Sequence, residues 1–271
     1  MGNNIGVSCN INIVNTKTLD TKNTCHACEI LLDFSEVVCT NYILHTALAE
    51  EYGRLHKNIA IIYCNSYDGT CYSLGDCAKN DGVLAYKKLS EYDYDVILYH
   101  DLSKENILSI LKQLLKLRCE HILVYYIGHG TIAYTNQSKF EQSGFDSAYY
   151  TTTGIITDNE LEDLIVNETT ECDIRQFRFI SDCCHSGSMY DFGDDDYKKY
   201  NMVSVGACGD AATAKQDYIC RRGHGIFSYY FWKYYEPGIE LHELINKIND
   251  KLVIYKQSAE VSTDLEVKNV L

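Results

Sequence analysis

Short apolar runs, rich in β-branched or aromatic residues, recur along this chain, and helical patterns separate most of them. The runs cover residues 59–63, 96–99, 122–127, 177–180 and 202–207. Helical patterns cover residues 80–89, 107–115, 157–165, 226–236 and 239–254. Strands that alternate with helices are typical of a mostly parallel sheet with helices packed on both faces. The sequence therefore predicts an α/β fold.

The composition limits the kinds of partner. The 271 residues are 46% hydrophobic, enough for one sizeable core, and no run approaches the roughly 18 uncharged residues of a membrane span. The net charge is −14, whereas phosphate binding needs clustered Lys and Arg. We therefore expect no nucleic acid and no membrane as partners, and we expect basic ligands or substrates.

The cysteines indicate a reducing compartment. There are 13, an odd number, and the first residues lack the basic and apolar regions of a secretory signal. We therefore expect a cytoplasmic protein. Residues 1–57 lack the strand–helix rhythm until Thr40 and are predicted to be an N-terminal extension with one helix, followed by the main domain at 58–271. Cys25 and Cys28 in this extension have zinc-knuckle spacing, but no second pair follows. We therefore expect a reduced prodomain that covers the cleft or is removed on activation, with zinc binding as the alternative.

Two glycine-flanked turns follow predicted strands and carry an imidazole and a thiol. Residues 126–130 read Tyr-Ile-Gly-His-Gly, and residues 181–188 read Ser-Asp-Cys-Cys-His-Ser-Gly-Ser. Active sites of open parallel sheets lie at such strand ends. A catalytic thiol needs a nearby base, so we assign Cys184 as nucleophile and His129 as general base. The backbone amides of Gly130 and Cys184 are the predicted oxyanion-hole donors.

These blocks resemble the signature motifs of the metacaspases, the caspase-fold peptidases of protists, fungi, plants and some viruses. Residues 74–81, 145–148, 156–161, 206–214 and 223–228 resemble further blocks of that family in the same order. The resemblance implies a caspase-like three-layer α/β/α sandwich, and we expect a viral or protist type I-like member. It divides the domain into a large-subunit-like part at 58–190, a linker at 191–201 and a small-subunit-like part at 202–271. It also favours a monomer.

The resemblance implies a cysteine endopeptidase that cleaves after Arg or Lys. The charge pattern agrees independently, because Asp182 lies two residues before the nucleophile, where a carboxylate attracts a basic P1 side chain. Asp182 could instead cap the following turn. Asp81 matches the family's second acidic pocket residue, with a spacing from Cys77 that is one residue longer than usual, and Asp76 is the alternative. We find no Arg or Lys beside the dyad for cleavage after Asp.

Two positions depart from the family pattern. Ile127 replaces the usual Ser two residues before the histidine and removes a hydroxyl from the pocket. Cys183 replaces another common Ser, and we expect a small buried neighbour rather than a strained vicinal disulfide. The alternative function is therefore a pseudoprotease, a catalytically impaired caspase-fold module that binds or regulates partners.

The resemblance also suggests activating calcium and self-cleavage. Asp158, Asn159 and Asp191 match calcium-binding positions, with Asp146 as a further candidate. Asp158 and Asn159 could equally belong to the first turn of a helix that begins with the capping box of Thr157 and Glu160. Self-cleavage is predicted at the basic pair Lys198 and Lys199.

Overall fold

The computed structural model describes residues 33–38, 56–117, 119–134, 145–169, 175–190, 201–209, 212–236 and 238–263. Its helices are α1 (Phe34–Val37), α2 (Asp76–Glu91), α3 (Lys104–Leu115), α4 (Asp158–Glu168), α5 (Ile226–Tyr234) and α6 (Leu241–Leu252). The strands are β1 (His56–Cys64), β2 (Asp95–His100), β3 (Cys119–Ile127), β4 (His129–Tyr134), β5 (Phe145–Tyr150), β6 (Ile155–Thr157), β7 (Gln176–Asp182), β8 (Asn201–Gly206), β9 (Gln216–Ile219), β10 (Arg222–Gly225) and β11 (Glu260–Ser262). The five predicted strands and five predicted helices of the main domain are all present. The helix predicted after Thr40 lies outside the described residues.

Six strands form the central sheet in the order β11, β8, β7, β3, β1, β2. All neighbours pair parallel except β11, which pairs antiparallel with β8. The carboxyl ends of β1, β3 and β7 therefore lie side by side. The other described strands form two smaller antiparallel units, the sheet β4–β5–β6 and the hairpin β9–β10.

The side chains of the sheet divide into two apolar layers. Helices α3 and α4 cover one face, where they pack on residues such as Ile61, Val124 and Phe179. Helices α2, α5 and α6 cover the other face, with Trp232 and Phe227 among the fully buried side chains. Because the central strands are buried on both faces, they read as continuous apolar runs instead of alternating patterns. The predicted three-layer α/β/α sandwich is confirmed.

Hydrogen bonds between neighbouring residues define the start of the helix that follows β6. The Thr157 side chain accepts a hydrogen bond from the Glu160 backbone at 3.2 Å, and the Glu160 carboxylate accepts one from the Thr157 backbone at 3.1 Å. This reciprocal pair confirms the predicted capping box at the start of α4. Helix α4 contacts β5 and β6 of the small sheet that begins at His129.

Candidate active site

The turns that carry His129 and Cys184 meet at the ends of adjacent strands. Ile127 at the end of β3 pairs with Asp182 at the end of β7, and the Gly128 amide donates to the Asp182 carbonyl at 3.2 Å. A Cβ built on Gly130 would lie 1.8 Å from the Cys184 carbonyl oxygen. Only glycine allows this approach, so the chain after the histidine lies directly against the backbone of the cysteine.

The imidazole of His129 is oriented by a backbone carbonyl. Its Nε2 lies 2.7 Å from the carbonyl oxygen of Tyr72, in the loop after β1. A carbonyl can only accept, so the Nε2 atom carries the proton, and in the neutral ring Nδ1 is the basic nitrogen. His129 is therefore held in a tautomer that can act as a base.

Tyr67 contacts both the ring and the backbone of His129. Its ring stacks on the imidazole with centroids 4.9 Å apart, and its hydroxyl accepts the His129 amide at 2.9 Å. Tyr67 has a φ of 56°, and its amide donates to a carboxylate oxygen of Asp101 at 2.7 Å, which stabilises this left-handed conformation. The Tyr126 hydroxyl also donates to the His129 carbonyl, at 3.0 Å. Contacts to the backbone and the ring thus restrict the position of the imidazole.

The thiol of Cys184 is partly buried in the turn after β7. Burial raises its pKa, the nearby Asp182 carboxyl raises it further, and the Ala214 amide and the Lys215 ammonium oppose both effects. The next residue, His185, has a φ of 55°, and its amide donates to the Ala212 carbonyl at 3.2 Å. Because the net effect is a raised pKa, the resting side chain is a thiol, and deprotonation needs a base.

Cys183, which precedes the candidate nucleophile, is buried in the core. It is 1% exposed, belongs to the α3/α4 layer and is a free cysteine. Burial raises the pKa of its thiol well above the ordinary value. The expectation of a small buried neighbour is confirmed, and this thiol is chemically inert beside the nucleophile.

Asp182 and Asp81 lie together although about a hundred residues separate them in sequence. A Cβ built on Gly225 would be 2.4 Å from the Asp182 Oδ2 and 3.1 Å from the Asp81 Oδ2, so both carboxylates face this glycine. Asp182 accepts hydrogen bonds from the Ser228 amide and hydroxyl. Asp81 Oδ1 contacts His224 Nδ1 at 2.7 Å, and its Oδ2 accepts the Gly225 amide at 2.7 Å.

Burial makes both carboxylates energetically costly. It raises the pKa of Asp182 to about 7, with a further increase from the negative charge of Asp81. It raises the pKa of Asp81 to about 6, against the opposing hydrogen bond and charge of His224. Neither acid has a Lys or Arg partner among the ion pairs of the described residues. Two acids with raised pKa values, buried side by side beside the thiol, mark a candidate functional site.

Ile127 lies beside Asp182 and not at an exposed rim. It is 3% exposed and packs in the α2/α5/α6 layer. Its strand partner in β7 is Asp182, so the two side chains leave the sheet on the same face. The apolar side chain therefore lies on the same face of the sheet as the Asp182 carboxylate and adds no hydrogen-bond donor there.

The candidate calcium residues form a helix cap. Asp158 Oδ2 accepts the Ser147 amide at 2.9 Å, and its Oδ1 accepts the Asn159 amide at 2.6 Å. The Asn159 side-chain nitrogen donates to Asp146 at 2.8 Å. Calcium needs six or more converging oxygens, whereas here the Asp158 oxygens already bind backbone amides and Asn159 presents a nitrogen. These three residues do not fit a calcium site as arranged.

Several predicted residues lie outside the described residues. They are the calcium candidate Asp191, the self-cleavage pair Lys198 and Lys199, and the extension residues Cys25 and Cys28. Among the described residues, Asp68, His100 and Asp101 form the one group with metal-ligand spacing. The Lys79 ammonium lies 2.6 Å from Asp68, so this group is an ion-pair network with its own cation.

Sequence reasoning missed the residues that orient the site. Tyr67 and the Tyr72 carbonyl come from a loop whose composition gave only a turn signal, and no motif links them to His129. His224 and Ser228 lie in the block at residues 223–228, whose resemblance to the family implies no role for either residue. The adjacency of His224 to a glycine before a helix was the available signal.

The fold and the two turns can be compared with known proteins. The model of the Peptidase_C14 family, described as the caspase domain, matches residues 57–270. A crystal structure of a Geobacter sulfurreducens protein superposes with a TM-score of 0.60 at 16% identity, over 79% of this chain and 99% of that one. Caspase-1 from Spodoptera frugiperda superposes with a TM-score of 0.59 at 14% identity, over 79% of this chain and 88% of that one. At such identities the similarity to these structures establishes the fold alone. No protein with a curated description matches this sequence.

Proposed function

The chain belongs to the caspase domain family of peptidases, and we propose that it is a cysteine endopeptidase of metacaspase type that cleaves after Arg or Lys. The observation that carries the specificity is the pair of buried carboxylates, Asp81 and Asp182, that meet at Gly225. Asp182 ends the strand that delivers Cys184, so the pair lies next to the nucleophile. A P1 guanidinium or ammonium entering this pocket supplies the missing positive charge, whereas an acidic P1 group is repelled.

The acylation step uses His129 as a base and Cys184 as a nucleophile. As the Sγ atom of Cys184 attacks the P1 carbonyl carbon, its proton moves to Nδ1 of His129. The carbonyl oxygen becomes an oxyanion, for which the amides of Gly130 and Cys184 are the proposed donors. The imidazolium then protonates the leaving amine as the C–N bond breaks, which leaves a thioester.

Hydrolysis of the thioester reverses these roles. His129 removes a proton from water, the hydroxide attacks the thioester carbon, and the C–S bond breaks. The proton returns from His129 to the departing thiolate, and the acid product is released. The Tyr72 carbonyl stabilises the imidazolium in both steps, because it accepts a hydrogen bond from Nε2.

Peptide assays test the proposal directly. We expect fluorogenic peptides with P1 Arg or Lys to be cleaved, and peptides with P1 Asp or Gln to be cleaved poorly. Cys184→Ala and His129→Ala should both abolish turnover and control for contaminating protease. A folded wild-type protein that cleaves none of these peptides, with calcium or with chelator, would refute the enzyme proposal and favour the pseudoprotease.

Whether calcium activates the enzyme is a separate point, and the same assay decides it. The helix-cap geometry of Asp158 supports activity that does not depend on calcium. Equal rates with millimolar calcium and with chelator would agree with that geometry. Activity that is lost with chelator and restored by calcium would require ligands from other parts of the chain, and Asp191 is the first to substitute.

Self-cleavage at Lys198 and Lys199 is proposed because the specificity pocket prefers basic residues. Active enzyme should be converted into two fragments, whereas Cys184→Ala should stay intact. Lys198→Gln/Lys199→Gln should stay intact but still cleave peptides. Fragments of the same size from this double variant would place the cleavage elsewhere.

A further inference from the structure

The two pocket carboxylates are held by different groups. Among the described residues, Asp182 receives hydrogen bonds from the backbone amide and the hydroxyl of Ser228. Asp81 is held on both oxygens, one by His224 Nδ1 and the other by the Gly225 amide. A carboxylate with a donor on each oxygen cannot rotate about its terminal bond without breaking a contact.

His224 is itself well fixed. Its side chain is 9% exposed, and its ring packs against Tyr229 with centroids 5.4 Å apart. The preceding residue, Gly223, accepts a hydrogen bond from the Asn80 side chain at 2.9 Å. Adjacent residues of β10 thus bind adjacent residues of α2, which fixes the imidazole relative to Asp81.

We infer that His224 is a positioning residue that makes the pocket prefer Arg over Lys at P1. It holds Asp81 in the orientation in which Asp81 and Asp182 together receive a guanidinium. This inference rests on the proposed function and adds the residue that discriminates between the two basic side chains.

The reason for the discrimination is geometric. A guanidinium is planar, and its donors have fixed directions, so it gains most from two acceptors whose orientations are also fixed. An ammonium is a compact charge with donors that rotate freely, and it tolerates a displaced carboxylate. Without His224, repulsion from Asp182 would turn Asp81 away, because one of its two hydrogen bonds would be gone.

Electrostatics support the same role. Burial raises the pKa of Asp81, and the contact with His224 is the strongest opposing influence. Loss of His224 therefore favours the protonated form of Asp81, which is a poorer partner for a cation. Orientation and ionisation of Asp81 thus both depend on the same ring.

Two substitutions separate positioning from packing. His224→Phe keeps a ring against Tyr229 but removes the nitrogen that contacts Asp81. His224→Asn keeps a nitrogen donor close to the position of Nδ1. We expect His224→Phe to raise KM for P1-Arg peptides about tenfold and to lower the Arg:Lys ratio of kcat/KM, with kcat within about twofold of wild type. His224→Asn should restore most of the ratio.

The controls report on folding and on chemistry. Thermal unfolding should stay cooperative in both variants, and the rate at which iodoacetamide alkylates Cys184 should match wild type. If His224→Phe does not fold, His224→Leu replaces it as the variant without a donor. An unchanged Arg:Lys ratio, a loss confined to kcat, or equal defects in the Phe and Asn variants would overturn the inference.

Binding measurements distinguish failure of this inference from failure of the proposed function. Calorimetry with Cys184→Ala protein and peptides that end in Arg, Lys or Gln needs no turnover. If Arg and Lys peptides bind with equal affinity, and adding His224→Phe changes neither affinity, the role of His224 is overturned. The basic pocket is then left intact. Equal binding of all three peptides would overturn the basic specificity and this inference with it.

Discussion

Gly130→Ala tests whether the contact between the two turns is part of the catalytic machinery. In the structure a Cβ at this position would lie 1.8 Å from the Cys184 carbonyl oxygen and 2.8 Å from its carbonyl carbon. Neither atom belongs to a flexible side chain, so the two backbones must move apart. The displacement needed to reach an ordinary contact is about 1 Å or more.

A displacement of this size changes the oxyanion donors more than the substrate pocket. Loss of one oxyanion-hole donor typically costs about 10²–10³ in kcat, and a misplacement of about 1 Å costs a similar factor. We therefore expect Gly130→Ala to lower kcat by about 10²–10³, with KM for P1-Arg peptides within about threefold of wild type. Steady-state kinetics with one P1-Arg substrate measures both constants.

Two other glycines serve as matched controls. Gly154 lies at the edge of the same small sheet, and a Cβ built there would be 4.0 Å from its nearest neighbour, a Lys104 side-chain carbon. Gly154→Ala should therefore leave kcat and KM unchanged. Gly225→Ala would place a methyl 2.4 Å from the Asp182 Oδ2 and should act mainly on KM. A Gly130→Ala enzyme with wild-type kcat, or with a defect in KM alone, would refute the reasoning.

Three further predictions concern the charges of the site. Asp182→Asn should lower kcat/KM for P1-Arg peptides about 100-fold or more without slowing alkylation of Cys184. An equal loss of kcat/KM for P1-Gln peptides would argue against a role of Asp182 in the pocket. Because burial raises the pKa of Asp182 to about 7 from an unfolded value of 3.8, its protonated form favours folding, and this stability is lost as the pH rises between those values. The melting temperature of wild type relative to that of Asp182→Asn should therefore fall over this range, whereas parallel curves would contradict the assignment. Because burial raises the pKa of Cys184, iodoacetamide alkylation should keep accelerating above about pH 8, and a plateau below about pH 7 would indicate a preformed thiolate.

The central strands were predictable because they are buried on both faces. Runs such as residues 122–127 are apolar without interruption, and the paired turns mark where each run ends. Helix α2 begins at Asp76, four residues before its sequence pattern indicated, because its first turn is polar and partly exposed. The hairpin β9–β10 was not predicted at all. Its strand β9 is largely exposed, and its turn places Cys220 and Arg221 at positive φ without the Asn-Gly signal of such turns.

The site residues also fall into two groups, those that local motifs identify and those that only the fold brings together. Local motifs were enough to select His129, Cys184 and Asp182, because each follows a buried strand in a turn of characteristic composition. The groups that orient them are distant in sequence. Tyr67 is 62 residues from His129, and Asp81 is 143 residues from His224. Neither contact leaves a trace in local composition.

The sequence by itself determined the order of the strands and helices, the reactive groups and the acidic character of the site, since these follow from local patterns of burial and charge. The tertiary structure decided which groups meet. Parallel pairing of β3 with β7 brings the two turns together, and the approach of β10 to α2 brings His224 to Asp81 and both carboxylates to Gly225. These contacts depend on how the strands associate and where the chain returns to the sheet, which are properties of the whole fold and not of any single segment.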